Sequence, residues 1–554
     1  MGADELIDKI RLSVIGADVA VDGPFGLRRV TYADYTASGR SLSFIEDYIR
    51  RAVLPLYANT HTETSGTGFQ TTKFREEARE IIRGAVGGSQ EHAVIFAGSG
   101  STGAIDRLIG ILGLRVPAPL EDRYALSAAI PPDERPVVFV GPYEHHSNEL
   151  PWRESIADVV EIRENADGHI NLSHLEEELE RSAQHTLRIG SFSAASNVTG
   201  IVSDTEAIAT VLHRHGALAF FDFAAAAPYL KIDMQTPADG NMGYKDAVFI
   251  SPHKFIGGPG TPGVLVVRRR LLGNRVPAIP GGGTVRYVSE SEHLYLADPE
   301  HREEGGTPAI VESIRAGLVF LLKEQVGVGE IRKREDEFIR RAIAFWSTTP
   351  NISILGNPAA ERLSIVSFVV RHGAQYLHHN FVVAVLNDLL GIQSRGGCSC
   401  AGPYGHRLLG IDHETSHRFE EQILAGCEGI KPGWVRINFN YFISEEEFIY
   451  LLGGVQLVAE HGWRLLPQYR FTSADGAWVH RLGRGGPLLS LQEVEFLKDG
   501  GRLPHTAPLA SLTVQLDEAR SILERCRGGP GEPESLPPAA EALRWFPVPS
   551  EVVS

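Results

Sequence analysis

Between His92 and Val267 the chain repeats one pattern. An apolar run of strand length ends in small or polar residues, and a stretch with apolar residues at helical spacing follows. The runs lie at His92–Phe96, at the start of Val137–Ser155, and at Leu187–Ser196, Ala217–Phe221, Ala247–Ile250 and Gly263–Val267. Between them, Ile105, Leu108, Ile109 and Leu112 form one helical face, and a second helix is expected over Asp204–His215. Such alternation predicts an α/β fold, a mostly parallel sheet with helices on both faces. Ligands of such sheets bind beyond the carboxyl ends of the strands. The residues at those ends are therefore the candidates for chemistry.

Two ends stand out. SPHKFIGGPGTPG, Ser251 to Gly263, is a polar, glycine-rich turn between two apolar runs and carries Ser251, His253 and Lys254. The run ending at Phe221 delivers Asp222. Position alone allows Lys254 to be merely solvated. A lysine and an aspartate at two strand ends are also what pyridoxal 5'-phosphate (PLP) needs. The lysine amine binds the cofactor covalently, and the carboxylate pairs with the protonated pyridine nitrogen. Gly98-Ser99-Gly100-Ser101-Thr102 precedes a helix. Its small residues and the free N–H groups of the first turn suit a phosphate.

Asp222 followed by SPHK about thirty residues on resembles the class V aminotransferase family of PLP enzymes, in its cysteine desulfurase and selenocysteine lyase-like branch. The resemblance covers about residues 30 to 460. It implies a fold-type I PLP-dependent transferase: a large domain with a mostly parallel sheet flanked by helices, and a smaller α+β C-terminal domain. Gly100, Ser101 and Thr102 match the start of the family's phosphate turn, with Gly103 in place of its glutamate. Glu144-His145-His146-Ser147-Asn148 resembles the family's Glu-His-His-Ala-Asn stretch, which implies that His145 stacks on the pyridine ring. Read alone, the paired histidines could also be zinc ligands or surface residues. No Cys or His stands at metal-ligand spacing from them, and no metal is expected. Asn197, in a Ser-Asn-Val turn, is expected near cofactor and substrate.

Further along, EEGGTP (Glu303–Pro308) resembles a family loop whose threonine reaches the cofactor phosphate of the neighbouring subunit. That implies a homodimer with Thr307 in this role; a capping threonine before a helix is the plain alternative. Ser394-Arg395-Gly396-Gly397-Cys398-Ser399-Cys400 resembles the segment in which an arginine grips the substrate carboxylate and a cysteine attacks the substrate sulfur. Arg395 and Cys400 match those two positions. Cys398-Ser399 replaces the family's histidine pair, so the cysteines could also be small packing residues in a tight turn. Tyr32–Gly39 (YADYTASG) resembles a segment that enters the active site, and Asn59 and His61 in the next polar loop are candidates for substrate contact. Ala225 stands where the family has a residue that bonds the cofactor's ring oxygen.

The expected divisions are an N-terminal arm (1–30), a large PLP-binding domain (31–300), a small domain (301–466) and an appendage (467–554). The formal net charge of -16 and the lack of a basic cluster argue against a nucleic-acid partner. No apolar run approaches the ~18 residues of a membrane span. MGADELIDKIRLSVIGADVA has no signal-peptide pattern, and only four cysteines in 554 residues fit a reducing cytoplasm.

The expected activity is carbon–sulfur cleavage on a small amino acid, either L-cysteine or a cysteine S-conjugate. The substrate amine would displace Lys254 from the cofactor, and Lys254 would then act as base. The alternatives are decarboxylating deamination of such a conjugate, as in lincosamide-pathway relatives, amino transfer or epimerisation, or a PLP-binding or sulfur-delivery partner without turnover.

Overall fold

The computed structural model describes residues 2–60, 62–235, 240–483, 489–494, 504, 506, 511–526 and 536–551. His61 and residues 527–535 of the expected appendage lie outside them. The chain forms two compact units. The first holds residues 1–13, 36–333 and 359–363, and the second residues 14–35, 334–358 and 364–554.

The first unit is built on seven strands: β1 (His92–Ala97), β2 (Val137–Val140), β3 (Asp158–Glu161), β4 (Arg188–Ser193), β5 (Leu218–Asp222), β6 (Ala247–Ile250) and β7 (Gly263–Arg268). Their order across the sheet is β1-β7-β6-β5-β4-β2-β3. All neighbours from β6 to β3 are parallel, as predicted, while β7 runs antiparallel to both β6 and β1. The reason is the connection. A parallel return needs a crossover of a dozen residues or more, usually a helix. Ser251–Pro262 contains only the short turn Pro252–Lys254 and leads straight back. The strands are apolar on both faces because both are covered, as β5 and β6 show with Phe220 and Phe249 in one core with Leu108 and Leu265.

Four helices of this unit matter below: α1 (Ala3–Ser13), α2 (Gly66–Ala85), α3 (Gly100–Ile111) and α4 (Ile310–Val326). α1 buries Leu6, Ile7 and Ile10, which recur at helical spacing on one face. α2 and α4 cross closely at Gly317, where a Cβ would lie 2.6 Å from that of Ala78. β1 is an edge strand, and a row of unpaired backbone groups is a liability there. Side chains cover it. Val94 N–H donates to Glu300 Oε1 (2.6 Å) and Phe96 N–H to Glu304 Oε1 (2.7 Å). From α2, Arg83 donates to His92 O (3.1 Å) and Arg79 to Val94 O. Arg79 also donates to Glu304 Oε2 (3.1 Å), and Arg83 to Glu300 Oε1 (2.7 Å).

The second unit has an antiparallel sheet of β8 (Ile352–Ile354), β9 (Ile365–His372), β10 (Arg395–Gly397) and β11 (Trp434–Asn438), in the order β8-β9-β11-β10. Helices α5 (His379–Leu390) and α6 (Glu445–His461) belong to it, as does the hairpin β12 (Tyr469–Thr472) with β13 (Ala477–His480). The packing does not divide the chain at 300 and 466. α4 lies in the first unit because it packs on α2. Residues beyond 466 lie in the second unit, where Phe471, Trp478 and Phe546 surround the buried His378. The N-terminal arm also divides: α1 belongs to the first unit and the hairpin Ala20–Arg29 to the second. Among the described residues no helix is long and apolar enough to cross a membrane.

Candidate active site

In the first unit the predicted groups meet at the carboxyl ends of β4, β5 and β6. Asp222 closes β5, paired in register with Ser193 of β4 and with Phe249 of β6. It is buried and accepts from Ala224 N–H (2.8 Å). Burial pushes its carboxyl up; Ala224 N–H, the Lys254 charge and the Ser101 hydroxyl oppose the rise. Lys254 thus acts electrostatically on Asp222 from the turn after β6, and Ser101 does so from the start of α3. Ser101 N–H also donates to Ser251 Oγ (2.8 Å), tying the two loops together. Gly100, at φ 56, lies against the same loop. A Cβ there would stand 2.8 Å from Ser251 Oγ and 2.9 Å from His253 Cε1. Only glycine combines that left-handed backbone with so close an approach. Burial, with the Lys254 charge, lowers His253 to about 4, so its imidazole is neutral at pH 7.

His145 reaches this group through hydroxyls. Its Nδ1 accepts from Ser147 N–H (3.1 Å) and lies 3.0 Å from Ser147 Oγ, which is 2.6 Å from Thr102 Oγ1. Asn197 is buried in the turn after β4. The second half of the YADYTASG segment straps the lysine loop, since Gly39 N–H donates to His253 O (2.8 Å).

Glu144, beside His145, is a functional candidate that sequence reasoning missed. It is buried, with Oε1 accepting from Gly141 N–H (3.1 Å) and Ser193 N–H (2.8 Å). Oε2 accepts from Asn148 Nδ2 (2.6 Å) and Ser193 Oγ (2.6 Å). Burial raises it to about 7 against these bonds, and the nearby Asp222 adds to the rise. The only signal in the sequence is its place in the Glu-His-His stretch.

In the second unit, Arg395 opens β10, and its side chain is half exposed. Asp34 bridges two arginines. Its Oδ1 takes a bond from Arg436 Nη2 (2.8 Å), and its Oδ2 lies 3.8 Å from Arg395 Nη1. Two guanidinium groups and one carboxylate leave this cluster with a net positive charge. Neither Asp34 nor Arg436 was singled out from the sequence; the polar YADY segment and an arginine in an apolar strand were the available signals. Beyond β10, Ser399 and Cys400 both adopt left-handed backbone, φ 52 and 56. That conformation costs a residue with a Cβ roughly 1–2 kcal/mol. Cys400 is exposed, while Cys398 is half-buried.

Two predicted residues lie on exposed loops. Asn59 is on an exposed loop anchored by Ala58 N–H to Thr71 Oγ1 of α2 (3.0 Å), with no hydrogen bond to the Lys254 group among the described residues. Thr307 is exposed on the loop before α4, and the residue capping α4 is Ala309, so the capping alternative does not hold. Ala225 is buried in the turn after Asp222.

The family described as Aminotransferase class-V matches residues 31–448. A probable cysteine desulfurase of Halalkalibacterium halodurans is 29% identical over 382 residues, covering 68% of this chain and 84% of the relative. Its Staphylococcus aureus counterpart is 30% identical over 385 residues, with the same coverage. Among solved structures, the apo cysteine desulfurase of Thermococcus onnurineus superposes with a TM-score of 0.62 at 23% identity, covering 78% of this chain and 95% of that one. The Escherichia coli cysteine desulfurase CsdA does so with a TM-score of 0.60 at 20% identity, covering the same shares. These two likenesses bear on the fold alone. With three quarters of its length matched and a sheet that ends in Asp222 and Lys254, the chain belongs to the class V aminotransferase family, in its cysteine desulfurase-like branch.

Proposed function

We propose that the chain is a PLP-dependent enzyme that cleaves the carbon–sulfur bond of L-cysteine or of a cysteine S-conjugate. The observation that carries this reading is the buried Asp222 carboxylate, within the field of Lys254 at the carboxyl end of a parallel sheet. The residues present fit the cofactor. A buried carboxylate raised by desolvation gains from a cationic partner, which a protonated ring nitrogen supplies. The missing Cβ at Gly100 lets the turn before α3 close onto Ser251 and His253, which gathers N–H and hydroxyl donors of two loops of the kind a phosphate group requires. PLP, when bound, supplies an electron sink for the charge left as a bond at the substrate's alpha carbon breaks.

The chain's own residues do the rest. Lys254 Nζ anchors the cofactor and then moves the proton at the alpha carbon. Asp222 keeps the ring nitrogen protonated, and His145 packs on the ring face. Ser101, Thr102, Ser251 and the neutral His253 receive the phosphate, and Asn197 orients the ring. Arg395 takes the substrate carboxylate, a planar fork matched to a planar acceptor, with Asp34, itself bonded to Arg436, as its counter-charge. Cys400, exposed on a strained turn, accepts the sulfur. Thr307 contributes to the phosphate site of a second copy, which makes the active form a homodimer. The similarity to proteins described as probable cysteine desulfurases supports the choice of sulfur chemistry.

One observation favours a second reading within the same chemistry. Cys398-Ser399 stands where the family's histidine pair is expected, so sulfur leaving as a thiolate from a conjugate, with no nucleophilic cysteine, is open to this site. The test is a product assay of wild type and Cys400→Ser with L-cysteine and with cysteine S-conjugates. Alanine release with a persulfide on wild type, lost in the variant, is the expected result for desulfuration. Pyruvate and free thiol from both proteins would assign conjugate cleavage and leave Cys400 structural. Carbon dioxide and an aldehyde would overturn both.

A further inference from the structure

The family match ends at residue 448, and the chain continues for about a hundred residues. Within the second unit this extension packs on the start of α5, and α5 in turn packs on the strand that carries Arg395. A Cβ on Gly396 of β10 would lie 2.7 Å from Asn380 Oδ1 and 3.2 Å from His379 Cδ2. A Cβ on Gly433 would lie 2.8 Å from His379 Cε1 and 2.9 Å from the Gly397 Cα. The His379 ring is thus the floor under Gly396 and Gly397. It is 7% exposed, and burial holds its imidazole neutral.

The extension supplies an aromatic neighbour to that floor. Trp545 stacks on His379 at 5.8 Å and 12°, and on His378 at 5.3 Å and 16°. The Trp545 ring is fixed by its own bond, Nε1–H to Ile430 O (2.9 Å). Tyr376 N–H donates to Trp545 O (3.2 Å). The β12–β13 turn is tied to the same helix end, because Asn380 Nδ2 donates to Gly476 O (2.9 Å). Aromatic stacking over a backbone with no side chains of its own transmits position directly: β10 can settle only where the stack lets it.

We propose that the C-terminal extension is a buttress for the substrate-carboxylate strand, with Trp545 a positioning residue that acts on Arg395 through His379 and the Gly396–Gly397 backbone. The functional half of this inference rests on Arg395 taking the substrate carboxylate.

The experiment uses the full-length, PLP-loaded protein and the variants Trp545→Leu, which keeps apolar bulk but loses the flat ring and its N–H, and Trp545→Phe, which keeps a ring. Hydrogen exchange is read in the peptide spanning Arg395–Cys400, with Ala247–Arg268 as internal control. Affinity is read from the change in cofactor absorbance with L-cysteine and with cysteamine, which lacks the carboxylate. In Trp545→Leu, exchange of Arg395–Cys400 should rise while the control peptide stays unchanged. L-cysteine should bind about tenfold more weakly, the scale of one charge-assisted hydrogen bond. Cysteamine binding should be unchanged, and Trp545→Phe should restore most of the loss. Unchanged exchange in Trp545→Leu overturns the buttress. Raised exchange with equal losses for both amines overturns the positioning role. Arg395→Ala separates the two layers: if it does not weaken L-cysteine selectively, the carboxylate reading fails, while an exchange rise in Trp545→Leu still upholds the buttress. His379→Asn, which thins the floor from within, should give the same exchange rise and serves if Trp545→Leu does not fold.

Discussion

The first unit buries two groups of carboxylates and treats them in opposite ways. At the sheet edge, burial works against ionisation of Glu304, yet the Arg79 and Arg75 guanidinium groups hold it down to about 2. At the strand ends, Glu144 receives four hydrogen bonds from neutral donors, and burial with Asp222 nearby raises it to about 7. Both carboxylates are out of water, so burial does not distinguish them. The partner does. Charges paired with arginine are fixed at every physiological pH and serve the architecture. A carboxyl held by dipoles beside a second carboxylate can exchange a proton near neutrality, and it lies at the carboxyl ends of the strands, where ligands bind.

The comparison breaks most visibly at the edge. Arg79→Met leaves Glu304 and Glu300 buried without one of their cations. Removing one partner of a buried pair costs about 3–5 kcal/mol, to be read as a lower midpoint in denaturant unfolding. A neutral result would mean that the edge is held by packing alone. Ser193→Ala removes one donor from Glu144 Oε2, and losing a buried bond of this kind costs about 1–3 kcal/mol. The same unfolding measurement reads it, and Glu144 should titrate higher still. The pH dependence is the sharpest test. Because Glu144 is raised from its ordinary 4.5 to about 7, its contribution to stability is complete at acid pH and is lost as pH rises through about 7. Glu304 has the opposite sign: its contribution is present above the ordinary carboxylate range and is lost as pH falls towards about 2. Glu144 should therefore add a downward component between pH 5 and 7, read as the difference in stability between wild type and Glu144→Gln, and Arg79→Met should leave that component in place.

The difference also explains what the sequence disclosed. Asp222, Lys254 and Ser101 each follow a short apolar run, so local pattern placed them at strand ends, and strand ends converge in a parallel sheet. The reversal of β7 could have been read from the helix-free stretch between Ile250 and Gly263. Glu144 could not be assigned, because its state depends on Gly141, Ser193 and Asp222, which three strand ends bring together. The Arg79–Glu304 pair is 225 residues apart in the chain, and no local pattern joins them. The sequence marks the extension only as an appendage because the resemblance stops after about Leu466. Its role in the second unit depends on Trp545 meeting His378 and His379 about 170 residues earlier, a contact that only the fold creates.

The covered edge has a consequence for how the protein is made. β1 emerges from the ribosome among the first hundred residues, but its strand partner β7 ends at Arg268 and its side-chain covers stand at Glu300 and Glu304. During synthesis of that interval β1 has no strand neighbour; Arg79 and Arg83 can already reach its carbonyls, but the Val94 and Phe96 N–H groups stay open, and nascent chains of intermediate length carry a half-covered, sticky strand. Completion of the loop at Glu304 is thus the point at which the β1 edge of the growing sheet loses its capacity to pair with other chains. Damage to this remote ion cluster is expected to appear first as poor soluble yield, with the surviving molecules chemically intact.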